Sequence, residues 1–173
     1  MLSEQVKTAI LVLQKRYPEK RSALLPALHL AQAEVGYLPL EVQKEVAALF
    51  GIEPNEVHSV VTFYDMFFDK PVGKHVIHVC KNVSCMLRGA DGLLARLCTK
   101  LQIKPGETTT DGEFTVIRAE CLAACDKAPM MIVDDKVVGP VGTDDHELDK
   151  ILDEAKKGRG HCSPIRLEEV SHG

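Results

Sequence analysis

The chain has 173 residues, a formal net charge of −4 and a pI near 6.0, with 45% hydrophobic and 27% charged residues, which suits one ordinary soluble domain or one domain with a smaller attached module. It lacks the basic footprint of a nucleic-acid binder, and with no tryptophan and 5% aromatic content it offers no base-stacking surface. Its apolar runs are too short to span a bilayer and its first residues lack the basic and apolar stretches of a secretory signal, so the expectation is a protein without membrane insertion in a reducing cytoplasm, where six cysteines serve as metal ligands or redox groups rather than disulfides.

The first third reads as helices. Val6, Ile10, Leu11 and Leu13 recur at roughly helical spacing, and Pro18 ends that segment. Ser22 is the expected N-cap of a second helix over 23–35, with Leu24, Leu28 and Ala31 inward and Gly36 as its stop. Pro39 suits the first turn of a third helix that runs to Phe50 and closes at Gly51. Pro54 opens a fourth, carrying Val57, Val60 and Val61. Short helices with short links predict a compact bundle.

The segment Phe63-Tyr64-Asp65-Met66-Phe67-Phe68 follows. Its rings either fill the seam between the bundle and the next domain or form an exposed docking patch for a partner subunit, with Phe67 and Phe68 as the docking residues.

From Pro71-Val72-Gly73 the pattern changes. Residues 74–79 read as a strand ending at Cys80, and 92–100 as a helix with Leu93, Leu94, Leu97 and Leu101 inward. A polar connection over 104–112 leads to a second strand, 114–117. Two short strands, 130–133 and 137–138, surround Asp134-Asp135, and 144–157 reads as a closing helix with Leu148, Ile151 and Leu152 inward. The order β-α-β-β-β-α predicts a sheet flanked by helices. The remainder, with Cys162 and Pro164, reads as a tail that is either mobile or ordered on a partner.

Two cysteine pairs fall at strand ends. Cys80 and Cys85 are spaced C-x4-C, Cys121 and Cys125 C-x3-C, with 35 residues between the pairs. A strand–helix–strand crossover brings two parallel strand ends to one edge of a sheet, so the two loops face each other. Four converging thiolates are the ligand set of a [2Fe–2S] cluster. Iron there needs soft anionic ligands, and the oxidised centre carries about −2 charge, about −3 after one electron. Irregular loops leave N–H groups free to point at sulfur, while Ser84, Ala123 and Ala124 permit close approach. Lys81, Arg88 and Lys127 offer positive charge nearby.

Three rivals fit less well. Zinc ribbons favour C-x2-C knuckles, a thioredoxin-type dithiol uses C-x-x-C, and a Rieske centre needs paired histidines at a matching offset. None of these spacings occurs. A structural zinc domain stays open as the alternative of another class. His75 and His78 read as strand-face residues, and Cys98 as a small core residue of its helix.

In these motifs the chain resembles the thioredoxin-like [2Fe–2S] ferredoxin component of NADH:quinone oxidoreductase (respiratory complex I), the 24 kDa or E-type subunit. The resemblance runs through Gly36-Tyr37-Leu38-Pro39, Val57-His58-Ser59-Val60-Val61-Thr62-Phe63-Tyr64, Lys104-Pro105-Gly106-Glu107-Thr108-Thr109 and Cys121-Leu122-Ala123-Ala124-Cys125-Asp126-Lys127-Ala128-Pro129. It implies an α+β architecture: an N-terminal helical bundle over 1–70, a thioredoxin-like α/β domain over 71–157 and a tail over 158–173. It implies Cys80, Cys85, Cys121 and Cys125 as cluster ligands and a cis peptide at Pro129. It further implies a flavoprotein partner that binds FMN and NADH, other complex I subunits, and a position at the inner face of the membrane through that complex. On this reading the chain takes one electron from the reduced flavin and has no substrate site of its own. Similar small subunits occur in NAD-reducing hydrogenases and NAD-dependent formate dehydrogenases.

Overall fold

The structure is a computed structural model that describes residues 1–158, 160 and 161. Of the expected tail, residues 159 and 162–173, Cys162 among them, lie outside the described residues. The chain divides into two compact units, the first spanning Met1–Pro71 and the second Val72–Cys162.

In the first unit four helices follow in chain order: α1 (Glu4–Gln14), α2 (Leu24–Val35), α3 (Leu40–Phe50) and α4 (Pro54–Phe63). Their ends follow from local chemistry. Ser3 Oγ accepts the Val6 N–H at 3.3 Å and starts α1. Gly36 and Gly51, at φ +88° and +65°, take up the left-handed conformation that closes α2 and α3. Pro54 occupies the first position of α4, where Glu56 Oε1 accepts the Glu53 N–H. One expectation is corrected here. Ser22 caps no helix, because it lies inside a 3₁₀ turn over Lys20–Ala23 that leads into α2.

The bundle buries Val6, Ile10, Leu28, Leu30, Val42, Val46 and Val57 in one core. Phe67 belongs to that core, 6% exposed and tilted against His29 at 4.9 Å. Of the two readings of this segment, docking is ruled out for Phe67, whose ring is spent on packing in the bundle core. Gln32 fixes the segment by giving its Nε2–H to Met66 O at 2.9 Å and accepting the Phe68 N–H at 2.8 Å. Phe63 is the ring left outside, 76% exposed.

The second unit carries a four-stranded sheet. Its strands are β1 (His75–Cys80), β2 (Phe114–Ala119), β3 (Met131–Val133) and β4 (Lys136–Val138), in the order β2-β1-β3-β4. β1 and β2 are parallel, the other neighbours antiparallel. Between β1 and β2 lie α5 (Val83–Leu87) and α6 (Ala90–Leu101), and α7 (Asp145–Lys156) closes the unit. Ile77, Val79, Val116, Met131 and Val133 alternate onto one face and pack with Leu93, Leu94 and Leu97 of α6 and Leu148 and Leu152 of α7. The Ala128–Pro129 and Gly139–Pro140 peptide bonds are cis. Gly160 and His161 are pinned to the start of β1, where Lys74 O accepts the His161 N–H at 2.9 Å. No helix among the described residues is long and apolar enough to cross a membrane.

Candidate metal centre

The register of β1 on β2 sets the site. Cys80, the last residue of β1, stands opposite Ala119, the last of β2, so the two cysteine loops leave the sheet side by side. The first loop is more regular than the sequence suggests. Asn82 Oδ1 accepts the Val83 N–H at 2.8 Å and opens α5, which turns Cys85 inward. The signal was present in the sequence, since Asn before a short run of non-breakers is a cap. The second loop is irregular. Ala123 stands at φ +59°, in the left-handed region that costs an L-residue roughly 1–2 kcal/mol. Small side chains make that backbone excursion possible. Cys125–Lys127 then forms a 3₁₀ turn before the cis Pro129.

Cys80 and Cys85 are 3% and 2% exposed, in a pocket made with Ala90, Ala128 and Met130 and flanked by Leu122, Ala124 and Ile132. Met130 serves both: its carbonyl accepts the Cys80 N–H at 3.3 Å and its N–H is directed to the Cys85 sulfur. Burial pushes the Cys80 thiol up, but the N–H groups of Leu122 and Asn82 and the Cys85 thiol outweigh it, and the net effect is downward. Cys85 moves the other way. Burial pushes it up and the Met130 N–H offsets only part of that, with neighbouring Cys80 and Cys125 charge adding to the rise. Leu122 belongs to the second loop, so one loop already reaches the sulfur of the other.

Cys121 and Cys125 are exposed. Cys125 is near enough to Cys85 for their charges to interact. Among the described residues no three His, Cys, Asp or Glu side chains converge on one point that could hold a single ion. Each iron of a two-iron cluster takes two of the four ligands, so such a donor set has to converge in pairs rather than at one point. The Cys80–Cys85 pair meets that requirement. Soft donors, N–H groups aimed at sulfur and an apolar surround fit the chemistry of an iron–sulfur ligand set.

The remaining candidates fall elsewhere. Cys98 is half-buried on α6, and burial first, then the Glu107 charge, pushes its thiol up, which suits an inert packing residue. His75 is fully buried and engaged by Asp134 at 2.8 Å. A cavity of about 200 Å³ opens between the β3–β4 turn and α7, at the other end of the sheet, and among the described residues no cysteine lines it.

The family description "Thioredoxin-like [2Fe-2S] ferredoxin" matches residues 10–156. The chain belongs to the thioredoxin-like [2Fe–2S] ferredoxin family. This ferredoxin carries its cis peptide at Pro129 and all four strand-end cysteines within the matched residues. It is 47% identical over 138 residues to the E-type component, second form, of the NADH-quinone oxidoreductase of Rhizobium meliloti (strain 1021), covering 80% of this chain and 81% of the relative. It is 40% identical over 134 residues to the E-type component of the NADH-quinone oxidoreductase of Escherichia coli (strain K12), covering 78% and 81%. Among solved structures the ferredoxin fold is similar to an NAD⁺-reducing [NiFe]-hydrogenase in the H2-reduced state. The TM-score is 0.66 at 24% identity over 84% of this chain, which spans 23% of the hydrogenase chain.

Proposed function

We propose that this ferredoxin is the electron-transfer subunit of an NADH:quinone oxidoreductase, with a [2Fe–2S] cluster held by Cys80, Cys85, Cys121 and Cys125. It takes one electron from the reduced FMN of a partner flavoprotein subunit, where NADH is oxidised. The observation that carries this reading is the junction of the two loops: β1 and β2 end in register, and the Leu122 N–H of the second loop reaches the Cys80 sulfur of the first. The names of its relatives at 40–47% identity supply the enzyme.

When bound, the cluster supplies a one-electron store. The chain's own residues make that store tolerable. The N–H groups of Leu122, Asn82 and Met130 meet negative charge on the buried sulfurs without side-chain rearrangement. Ala90, Ala128 and Leu122 keep water from them. The exposed Cys121–Cys125 loop is the side open to a partner, and the chain stands peripheral to the membrane through the complex.

Ligand replacement tests the assignment. Cys80→Ala, Cys85→Ala, Cys121→Ala and Cys125→Ala should each lose most of the roughly two irons and two labile sulfides per chain, while Cys98→Ala keeps them. Full iron in any of the four contradicts that residue's role. With the flavoprotein partner co-expressed, NADH should bleach the visible absorption of the complex. An unchanged spectrum in a complex that binds FMN contradicts the electron route.

A further inference from the structure

The parallel register of β1 and β2 runs one rung past the strands. Lys81 gives its backbone N–H to Ala119 O at 2.9 Å. Its ammonium then lies 2.5 Å from Glu120 Oε1. Lys81 directly follows Cys80 and Glu120 directly precedes Cys121, so this ion pair joins the roots of the two cysteine loops.

The pair is half open to water, its side chains 37% and 71% exposed. An ion pair of that kind adds little to stability. Its position matters more than its strength. Lys81 is one of the three cations that the sequence sets beside the sulfurs, and it is met by a carboxylate. Arg118 is treated alike, with Asp91 Oδ1 3.0 Å from its guanidinium.

We propose that Glu120 sets the reduction potential of the centre by offsetting the charge of Lys81. The proposal rests on the ligand assignment above. Adding an electron adds negative charge, so a nearby ammonium favours the reduced form and a nearby carboxylate opposes it. Side by side, each offsets the other's effect on the added electron. Removing either one exposes the other.

Redox titration of the cluster-loaded chain, followed by EPR, tests this with a double-mutant cycle. Glu120→Gln raises the midpoint potential, Lys81→Gln lowers it, and the double variant returns close to the wild type. Both single shifts shrink as salt rises from about 0.05 to about 0.5 M, because screening shortens the reach of exposed charge. Asp149→Asn removes the same charge from the far end of α6, where Asp149 pairs with Lys100 at 2.5 Å, and leaves the potential unmoved. A pair that only ties the loops together would shift the potential the same way when either partner is removed, and that result overturns the proposal. So do unchanged potentials in loaded single variants. Should Glu120→Gln fail to load, Lys81→Gln decides alone: an unchanged or higher potential overturns it. A wild-type chain without a [2Fe–2S] cluster is a different failure, that of the ligand assignment.

Discussion

His75 Nδ1 lies 2.8 Å from Asp134 Oδ2, a contact between residues 59 apart in the chain. A carboxylate only accepts, so Nδ1 carries the hydrogen and donates. Asp134 does more than meet the ring. Its Oδ1 accepts the Val76 N–H at 3.0 Å, its own N–H goes to Val76 O at 2.9 Å, and its backbone sits at φ +54°. The β3–β4 turn is thereby clamped to the start of β1.

Removing the carboxylate leaves the His75 Nδ1–H and the Val76 N–H without acceptors next to a fully buried ring. Asp134→Ala should cost about 2–4 kcal/mol, read as a fall in the urea midpoint at unchanged slope. Asp135→Ala, one residue on and exposed, should stay within about 0.5 kcal/mol.

The two aromatic ends of the bundle separate packing from surface. Phe67→Ala opens a cavity beside His29 and should cost about 3–4 kcal/mol. Phe63→Ser touches a ring that is 76% exposed and should leave thermal unfolding within about 0.5 kcal/mol of the wild type.

Much of this was legible in the sequence. The helix ends at Gly36 and Gly51, the strand that stops at Cys80 and the inward leucines of α6 follow from periodicity and punctuation, which are local. What was not legible depends on distant partners. His75 read as a strand-face residue because its acceptor arrives only with the register of β3 against β1. Phe67 stayed open between packing and docking because Gln32, 35 positions earlier, is what pins its segment into the core. At the site, the spacing of four cysteines pointed to their pairing, but the Leu122 N–H on the Cys80 sulfur comes from a loop that also holds Ala123 left-handed, a conformation alanine gives no warning of. Lys81 read as positive charge near the sulfurs with no sign of the carboxylate that meets it, because Glu120 lies 39 positions on and is reached only through the strand register.

Glycines offer a paired test. A Cβ on Gly139 would stand 2.4 Å from Lys127 O and 2.8 Å from Met130 Cβ, against the backbone that follows Cys125. Gly139→Ala should lower both stability and cluster content. A Cβ on Gly92, in α6, meets nothing within 4 Å, so Gly92→Ala should stabilise by about 0.5–1 kcal/mol and keep full iron.

One carboxylate makes stability depend on acid. The Thr109 hydroxyl, and then the Glu113 N–H at 3.0 Å, hold Asp111 below the usual carboxylate range. A group depressed in the folded state contributes stability above its unfolded value, near 3.9, and loses it as pH falls through the lower folded value. Between pH 5 and pH 3 the wild type should therefore lose more stability than Asp111→Asn. Parallel urea midpoints for the two proteins across that window would contradict the assignment.

Whether the two cysteine loops hold an iron–sulfur electron carrier is tested most directly by anaerobic visible absorption and EPR of the purified chain, before and after dithionite, with iron and labile sulfide counted. The expected result is a brown-red protein with about two irons and two sulfides per chain, EPR-silent as oxidised and with a spin-half signal after one electron. A colourless protein with stoichiometric zinc would contradict it.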